Sequence, residues 1–285
     1  MSSVPSSSEP QAPFKGKSAL IFGGGRNIGR EIALEFARRG ASVGVADIDL
    51  AGAEETAQLI FAAGGRASAV HCDVSNDASV RAAASAAEDR LGPVDIVMNN
   101  AGILHSGNPE DFPIEEWQRM FNINFMAIVR SCQIFIPKMT ARGHGYIVNT
   151  ASFAGLYPYA TNRIPYAASK AAIVSLSENL AIYLMPKGLR VSVLCPGPTM
   201  TTSIQGMKIF SADTIMRGPG SHLKVKSQRE VATILCDGMR DGRILIATHP
   251  EGLQTVRERG ESIDAFIERK IKEFERGDSG RPSAV

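Results

Sequence analysis

Ser18-Ala-Leu-Ile-Phe22, followed by Gly23-Gly-Gly-Arg-Asn-Ile-Gly29, is the stretch that decides how this chain is built. A short uncharged, largely apolar run suits a buried strand, and a cluster of glycines directly after it suits a tight turn. Helical spacing then takes over, with Ile28, Ile32, Leu34, Phe36 and Ala37 as the apolar positions before Gly40. Ser42-Val-Gly-Val-Ala46 reads as a second strand, closed by Asp47. Strand, glycine turn, helix, strand and acid together make a βαβ unit.

The chemistry of that unit is specific. Glycines let a backbone approach a pyrophosphate, and the N-terminus of a helix offers N–H groups to phosphate oxygens. Gly23, Arg26, Asn27, Ile28 and Gly29 are therefore candidate cofactor-binding residues. A carboxylate about 20 residues further on accepts hydrogen bonds from an adenosine ribose, and Asp47 stands there. Its charge would repel a ribose 2′-phosphate, so NAD is expected over NADP. Arg26 argues the other way, as a base able to reach a 2′-phosphate, but Asp47 would face that phosphate directly. The plain alternative for Asp47 is a turn residue at a strand end.

The alternation continues through the chain. Helices are expected over 51–63, 76–91 and 113–141, the last broken near Pro137, and then over 162–185 and 227–239. Strands are expected over 67–72, 94–98, 146–149, 189–195 and 243–247. Ser227 and Glu230 form a capping box. Strands alternating with helices predict a Rossmann-like, doubly wound α/β fold: a mostly parallel seven-stranded sheet with helices on both faces. Residues 14–250 form the expected single domain. Within it, 199–225 differs, because Gly206, Gly218, Pro219 and Gly220 interrupt it while Ile204, Met207, Ile209, Phe210, Ile215 and Met216 are apolar. Such a connection suits a substrate loop for a hydrophobic molecule; the alternative is packing of the loop onto the body. Apolar positions from Leu253 to Phe274 predict one docked amphipathic helix over 251–276. A Ser- and Pro-rich tail, 1–13, is expected to be disordered and 277–285 frayed.

Composition excludes several classes. The chain has 285 residues, 44% hydrophobic, with a net charge of +2, which favours neither nucleic acid nor a strongly acidic partner. Its four cysteines and five histidines are scattered, so no metal site or disulfide framework is read and a reducing, cytoplasmic compartment is expected. No apolar run approaches the roughly 20 residues that span a bilayer, and no signal-peptide pattern opens the chain.

Tyr166-Ala-Ala-Ser-Lys170 carries the most reactive pairing. A tyrosine and a lysine four residues apart share one helix face. An adjacent ammonium favours the phenolate and would bring the tyrosine toward neutral-pH acid–base work. Alone, the pair reads first as one core and one surface residue of an ordinary helix.

Taken together the motifs resemble the short-chain dehydrogenase/reductase family over about Lys17 to Thr248. That family carries Thr-Gly-x-x-x-Gly-x-Gly in the first turn; here Phe22 replaces the Thr and Asn27 the middle Gly. Asp73-Val74 matches the pair that meets the adenine, and Asn99-Asn100-Ala101-Gly102 matches the segment after the fourth strand. Asn124, Ser152, Tyr166 and Lys170 align with the catalytic tetrad, while Pro196-Gly197 and Thr201 match the segment around the nicotinamide. Three residues separate Tyr166 from Lys170, whereas related enoyl reductases place six there. The segment from His249-Pro-Glu onward has a short likeness to members acting on bulky aromatic alcohols.

The resemblance implies hydride exchange between NAD(H) and a secondary alcohol or its ketone. Tyr166 would be the general acid/base. Lys170 would lower the Tyr166 pKa and hold the nicotinamide ribose, Ser152 would bond the substrate oxygen, and Asn124 would hold a proton-carrying water. His105, Phe153, Tyr157 and Tyr159 are candidates for the substrate pocket or plain loop residues. A homotetramer or homodimer paired through the long helices is expected. The alternative function is an NAD-binding regulator or scaffold without turnover.

Overall fold

A computed structural model of the chain describes residues 14–202, 206–212 and 217–277. The expectations for 1–13, for Ile204, Ile215 and Met216, and for 278–285 lie outside the described residues. Seven strands form one parallel sheet: β1 (Ser18–Phe22), β2 (Ser42–Asp47), β3 (Arg66–His71), β4 (Ile96–Asn99), β5 (Gly145–Thr150), β6 (Leu189–Cys195) and β7 (Leu245–Ala247). Their order is β3-β2-β1-β4-β5-β6-β7. β1 is an interior strand, with Leu20 in register with Gly44 on one side and Val97 on the other.

The helices α1 (Asn27–Arg38), α2 (Leu50–Ala62), α3 (Asp77–Leu91), α4 (Ile114–Phe121), α5 (Ala127–Arg142), α6 (Ile164–Leu184) and α7 (Gln228–Arg240) cover both faces. Alternate residues of a strand point to opposite faces, so each strand feeds two cores. Leu20 and Phe22 join the core built on α3, α5 and α6, with Val80, Phe135 and Ile173. Ala19 and Ile21 join the other, with Ile32 and Phe36 of α1 and Leu235 of α7. The predicted capping box at Ser227 and Glu230 is present at the start of α7.

Two expected helices differ. The helix predicted over 113–141 is interrupted by a π turn, Asn122–Met126, and α5 runs unbroken through Pro137. A π turn inside an α-helix is uncommon and recurs at functional sites. Within it the Asn124 side chain bonds both backbone groups of Ile103 and the Ser169 hydroxyl. The single helix predicted over 251–276 is two helices, α8 (Leu253–Glu261) and α9 (Ile263–Glu275). Ser262 adopts an extended backbone and caps α9 by accepting from the Ala265 N–H at 3.2 Å.

Candidate active site

In a parallel sheet the loops leaving the carboxyl ends of the strands share one edge, and a crevice opens where the strand order reverses. That point lies here between β1 and β4, because β2 and β4 flank β1 on opposite sides. A cleft of about 800 Å³ occupies this edge, running from Asp47 and Asp73 to Tyr159 and Val225.

At one end, Gly23 carries the turn out of β1, its N–H donating to the Ala46 carbonyl at 2.7 Å. Gly29 packs directly on that turn: a Cβ there would lie 1.8 Å from the Gly23 oxygen, so only glycine fits. Asn100 Nδ2 donates to the same oxygen at 2.9 Å. Asp47, at the tip of β2, accepts from the Gly25 N–H at 2.8 Å and the Asp49 N–H at 3.0 Å, so its carboxylate is fixed at the cleft wall. The Ser75 hydroxyl, at 2.7 Å, holds the Asp73 carboxyl below its usual pKa. Asn27 has φ +51°, the left-handed region that its short polar side chain tolerates.

At the other end stand the residues after β5 and along α6. Ser152 lines the cleft and its oxygen accepts from the Ala154 N–H at 3.2 Å. Lys170, 3% exposed, donates from Nζ to the Thr150 carbonyl at 2.8 Å and lies 5.6 Å from the Tyr166 ring centre. Burial pushes the Lys170 ammonium down to about 8. Burial also raises the Tyr166 phenol, opposed by the Ser152 hydroxyl and by the positive charge of Arg163. The net shift is thus upward rather than the lowering expected from Lys170: desolvation is its largest cause, and the Lys170 ammonium is directed to the Thr150 carbonyl. Asn124 reaches this end indirectly. Its Nδ2 donates to Ser169 Oγ at 3.0 Å, and that hydroxyl donates to the Tyr166 carbonyl at 2.7 Å, bracing the first turns of α6.

The cleft brings together Gly23, Arg26, Asn27, Ile28, Asp47, Asp73, Val74, Asn100, Ala101 and Gly102 with Ser152, Tyr166, Lys170, Pro196, Gly197 and Thr201. Gly29 and Asn124 are not among its lining residues. His105 and Tyr159 line it; Phe153 and Tyr157 are buried outside its lining, and the Tyr157 hydroxyl donates to the Pro219 carbonyl at 3.0 Å. In the connection after β6, Phe210 packs on Phe112 with ring centres 4.9 Å apart, while Ile209 is exposed. The loop residues lining the cleft include Pro198, Thr199, Lys208, Arg217 and Pro219 rather than these apolar side chains. Sequence reading missed Arg163, Thr202, Lys208 and Arg217. Only Arg163, at the start of α6 and three residues before Tyr166, had a signal in its position. Among the described residues no group of three or more His, Cys, Asp and Glu is placed to hold a metal ion.

The model of the short chain dehydrogenase family matches residues 17–209. The chain belongs to that family. Among relatives of this short-chain dehydrogenase, the 7alpha-hydroxysteroid dehydrogenase of Escherichia coli strain K12 is 37% identical over 67% of this chain and 74% of its own. The 1-deoxy-11-beta-hydroxypentalenate dehydrogenase of Streptomyces exfoliatus is 30% identical over 87% and 88% of the two chains. A short-chain dehydrogenase/reductase from Burkholderia phymatum, crystallised in complex with NAD, superposes with a TM-score of 0.77. It is 29% identical and covers 96% of this chain and 99% of its own. The family is one of oxidoreductases, and the parallel sheet with helices on both faces is its fold. No helix among the described residues is long and apolar enough to cross a membrane.

Proposed function

We propose that the protein interconverts a secondary alcohol and its ketone with NAD(H), on a hydrophobic alicyclic or aromatic substrate, with Tyr166 as general acid and base. The observation that carries this reading is that Ser152, Tyr166 and Lys170 line the same cleft as Asp47 and the glycine turn. The cleft walls suit a dinucleotide. No side chain caps the first turn of α1, leaving its N–H groups for phosphate. Asp47 holds a carboxylate at the wall for ribose hydroxyls, and Asp73-Val74 and Asn100 to Gly102 would flank the adenine half. Lys170, Pro196, Gly197 and Thr201 would hold the nicotinamide half. The relative crystallised with NAD supports this choice of cofactor.

When bound, the nicotinamide would supply or accept the hydride. Tyr166 does the proton work. Burial keeps it in the phenol form, which donates from Oη to a carbonyl oxygen during ketone reduction. In the oxidation direction the phenolate must form, and positive charge from Lys170 and Arg163 favours it. Ser152 would hydrogen-bond the substrate oxygen and hold it beside Tyr166 Oη. The π turn at Asn124 perturbs the helical ladder, and this residue would hold the water that returns the proton to solvent. The names of the hydroxysteroid and pentalenate dehydrogenases support an alicyclic secondary alcohol.

Exposed Ile114 and Met126 near the π turn, and Ile182 and Tyr183 on α6, support pairing of these helices in a homotetramer or homodimer. The cytoplasmic location expected from the scattered cysteines belongs to the same reading. The test is NADH formation from NAD across a panel of alicyclic and aromatic secondary alcohols. Tyr166→Phe should lose turnover while still binding NADH; wild-type rates in that variant would sink the assignment.

A further inference from the structure

Thr248 and His249 follow β7 and are both 0% exposed. Three hydrogen bonds pass through them. The Gly197 N–H donates to Thr248 Oγ1 at 2.9 Å, Thr248 Oγ1 and His249 Nδ1 are 2.8 Å apart, and His249 Nε2 lies 2.7 Å from the Lys224 carbonyl. Their proton positions follow from elementary accounting. A carbonyl only accepts, so Nε2 carries the hydrogen; in a neutral ring Nδ1 is then the acceptor. Thr248 donates its hydroxyl proton to Nδ1 and uses a lone pair for Gly197. The chain of bonds is directional, from Gly197 through Thr248 and His249 to Lys224, and burial favours the neutral ring it requires.

The groups joined belong to two segments far apart in the chain, both at the cleft. Gly197 lines it just after β6, and Val225, next to Lys224, lines it at the far end of the connection to α7. A Cβ at Gly197 would lie 2.5 Å from His249 Nδ1, so the backbone there rests on the ring. The ends of that connection also meet each other, because the Lys226 N–H donates to the Pro198 carbonyl at 3.0 Å. On its other side the His249 ring meets Phe153 edge-on, with centres 5.8 Å apart. Phe153 follows Ser152, and its N–H donates to the Pro196 carbonyl at 3.0 Å. The Ser152 turn, the Pro196-Gly197 segment and the Lys224-Val225 segment therefore all rest on these two side chains.

We propose that Thr248 and His249 are positioning residues of the reaction, setting the relative placement of the Gly197 and Val225 segments of the cleft lining through one directed chain of buried hydrogen bonds. The proposal rests on the oxidoreductase reading above, with Gly197 toward the cofactor and Val225 toward the substrate. Thr248→Val keeps the shape and removes the acceptor for Gly197. His249→Asn can still meet Thr248 but is too short for Lys224, whereas His249→Gln reaches the Nε2 position and donates to Lys224. One buried hydrogen bond lost corresponds to roughly a tenfold change. Thr248→Val should raise the NADH Kd about tenfold; His249→Asn should raise the substrate KM by about as much with little change in kcat.

His249→Gln should recover most of that KM. Because both residues lie on one chain of bonds, Thr248→Val and His249→Asn combined should be less damaging than the product of the two. Amide exchange at Lys226 should speed up in His249→Asn and return toward wild type in His249→Gln. The exchange and NADH-titration readouts need no turnover, so a wild-type protein inactive on every alcohol would fail the oxidoreductase reading and leave them to decide this one. Equal behaviour of His249→Asn and His249→Gln, or unchanged Lys226 exchange and NADH Kd in all variants, would overturn the proposal.

Discussion

Asn27 Oδ1 accepts hydrogen bonds from both the backbone N–H of Thr202, at 3.1 Å, and its hydroxyl, at 2.9 Å. Gln228 at the start of α7 adds a third donor at 3.3 Å and also donates to the Met200 carbonyl at 2.9 Å. A position that is glycine in the family pattern thus ties the first glycine turn to the segment after β6 and to the start of α7. Asn27→Gly relieves a left-handed residue, worth about 1–2 kcal/mol, but removes three partly exposed bonds of roughly 0.5–1.5 kcal/mol each. The lost bonds outweigh the relief, so the thermal midpoint should fall by a few degrees. Amide exchange at Thr202 should rise clearly and NADH should bind several-fold more weakly. Unchanged exchange at Thr202 would show that the bridge does not hold the segment.

Lys170 carries a stability prediction with a definite sign. Its folded-state pKa, about 8, lies below the usual 10.5, so the unfolded chain binds more protons between those values. Stability of the cofactor-free protein should therefore rise with pH across that window and level off at its ends. Below about pH 8 the ammonium is charged in both states and the full burial penalty is present. Lys170→Met should flatten the rise and abolish turnover. Thermal denaturation of both proteins across the window checks it; parallel curves would refute the assignment of the rise to Lys170.

Asp47 sets the expected preference between the two dinucleotides. Asp47→Asn removes the charge but keeps an oxygen able to accept from one of the two backbone N–H groups now held. The ratio of kcat/KM for NAD to that for NADP should fall by about tenfold or more, corresponding to about 1.4 kcal/mol of lost discrimination. A wild-type enzyme already faster with NADP would contradict the role given to Asp47.

The C-terminal helix α9 meets a residue of the cleft lining. The Arg217 guanidinium lies over the Phe274 ring, 4.0 Å from its centre, and donates to the Phe274 carbonyl at 3.4 Å. Arg217 itself lines the cleft. Phe274→Ala removes a cation–π contact of about 0.5–1 kcal/mol, so substrate KM should rise about two- to fivefold while NADH binding stays unchanged. An equal loss of NADH affinity would point to a general loosening of the fold instead.

The order of strands and helices was legible because its signals are local. An apolar run such as Ser18–Phe22 or a repeat such as Ile28, Ile32 and Phe36 depends on neighbours within a turn or two. The π turn was not legible, since Asn122-Ile-Asn-Phe-Met126 contains no residue that breaks a helix unaided. The side-chain partners of Asn124 within it, Ile103 and Ser169, lie 21 and 45 residues away. Pro137, the residue that sequence reading expected to break that helix, lies inside α5. Ser262 was a readable cap, hidden by apolar spacing that continues past it.

By itself the sequence determined the parallel α/β architecture, the glycine turn with Asp47, and the placement of Tyr166 and Lys170 on one helix face. Periodicity and short spacings suffice for these, because they act through the backbone within a few residues. Tertiary structure alone decided the electrostatic balance at the site and the ties across the cleft. Burial, which no local pattern measures, raises Tyr166 and lowers Lys170. The bonds from Asn27 to Thr202 and from His249 to Lys224 join segments that become neighbours only when the strands align their carboxyl ends on one edge.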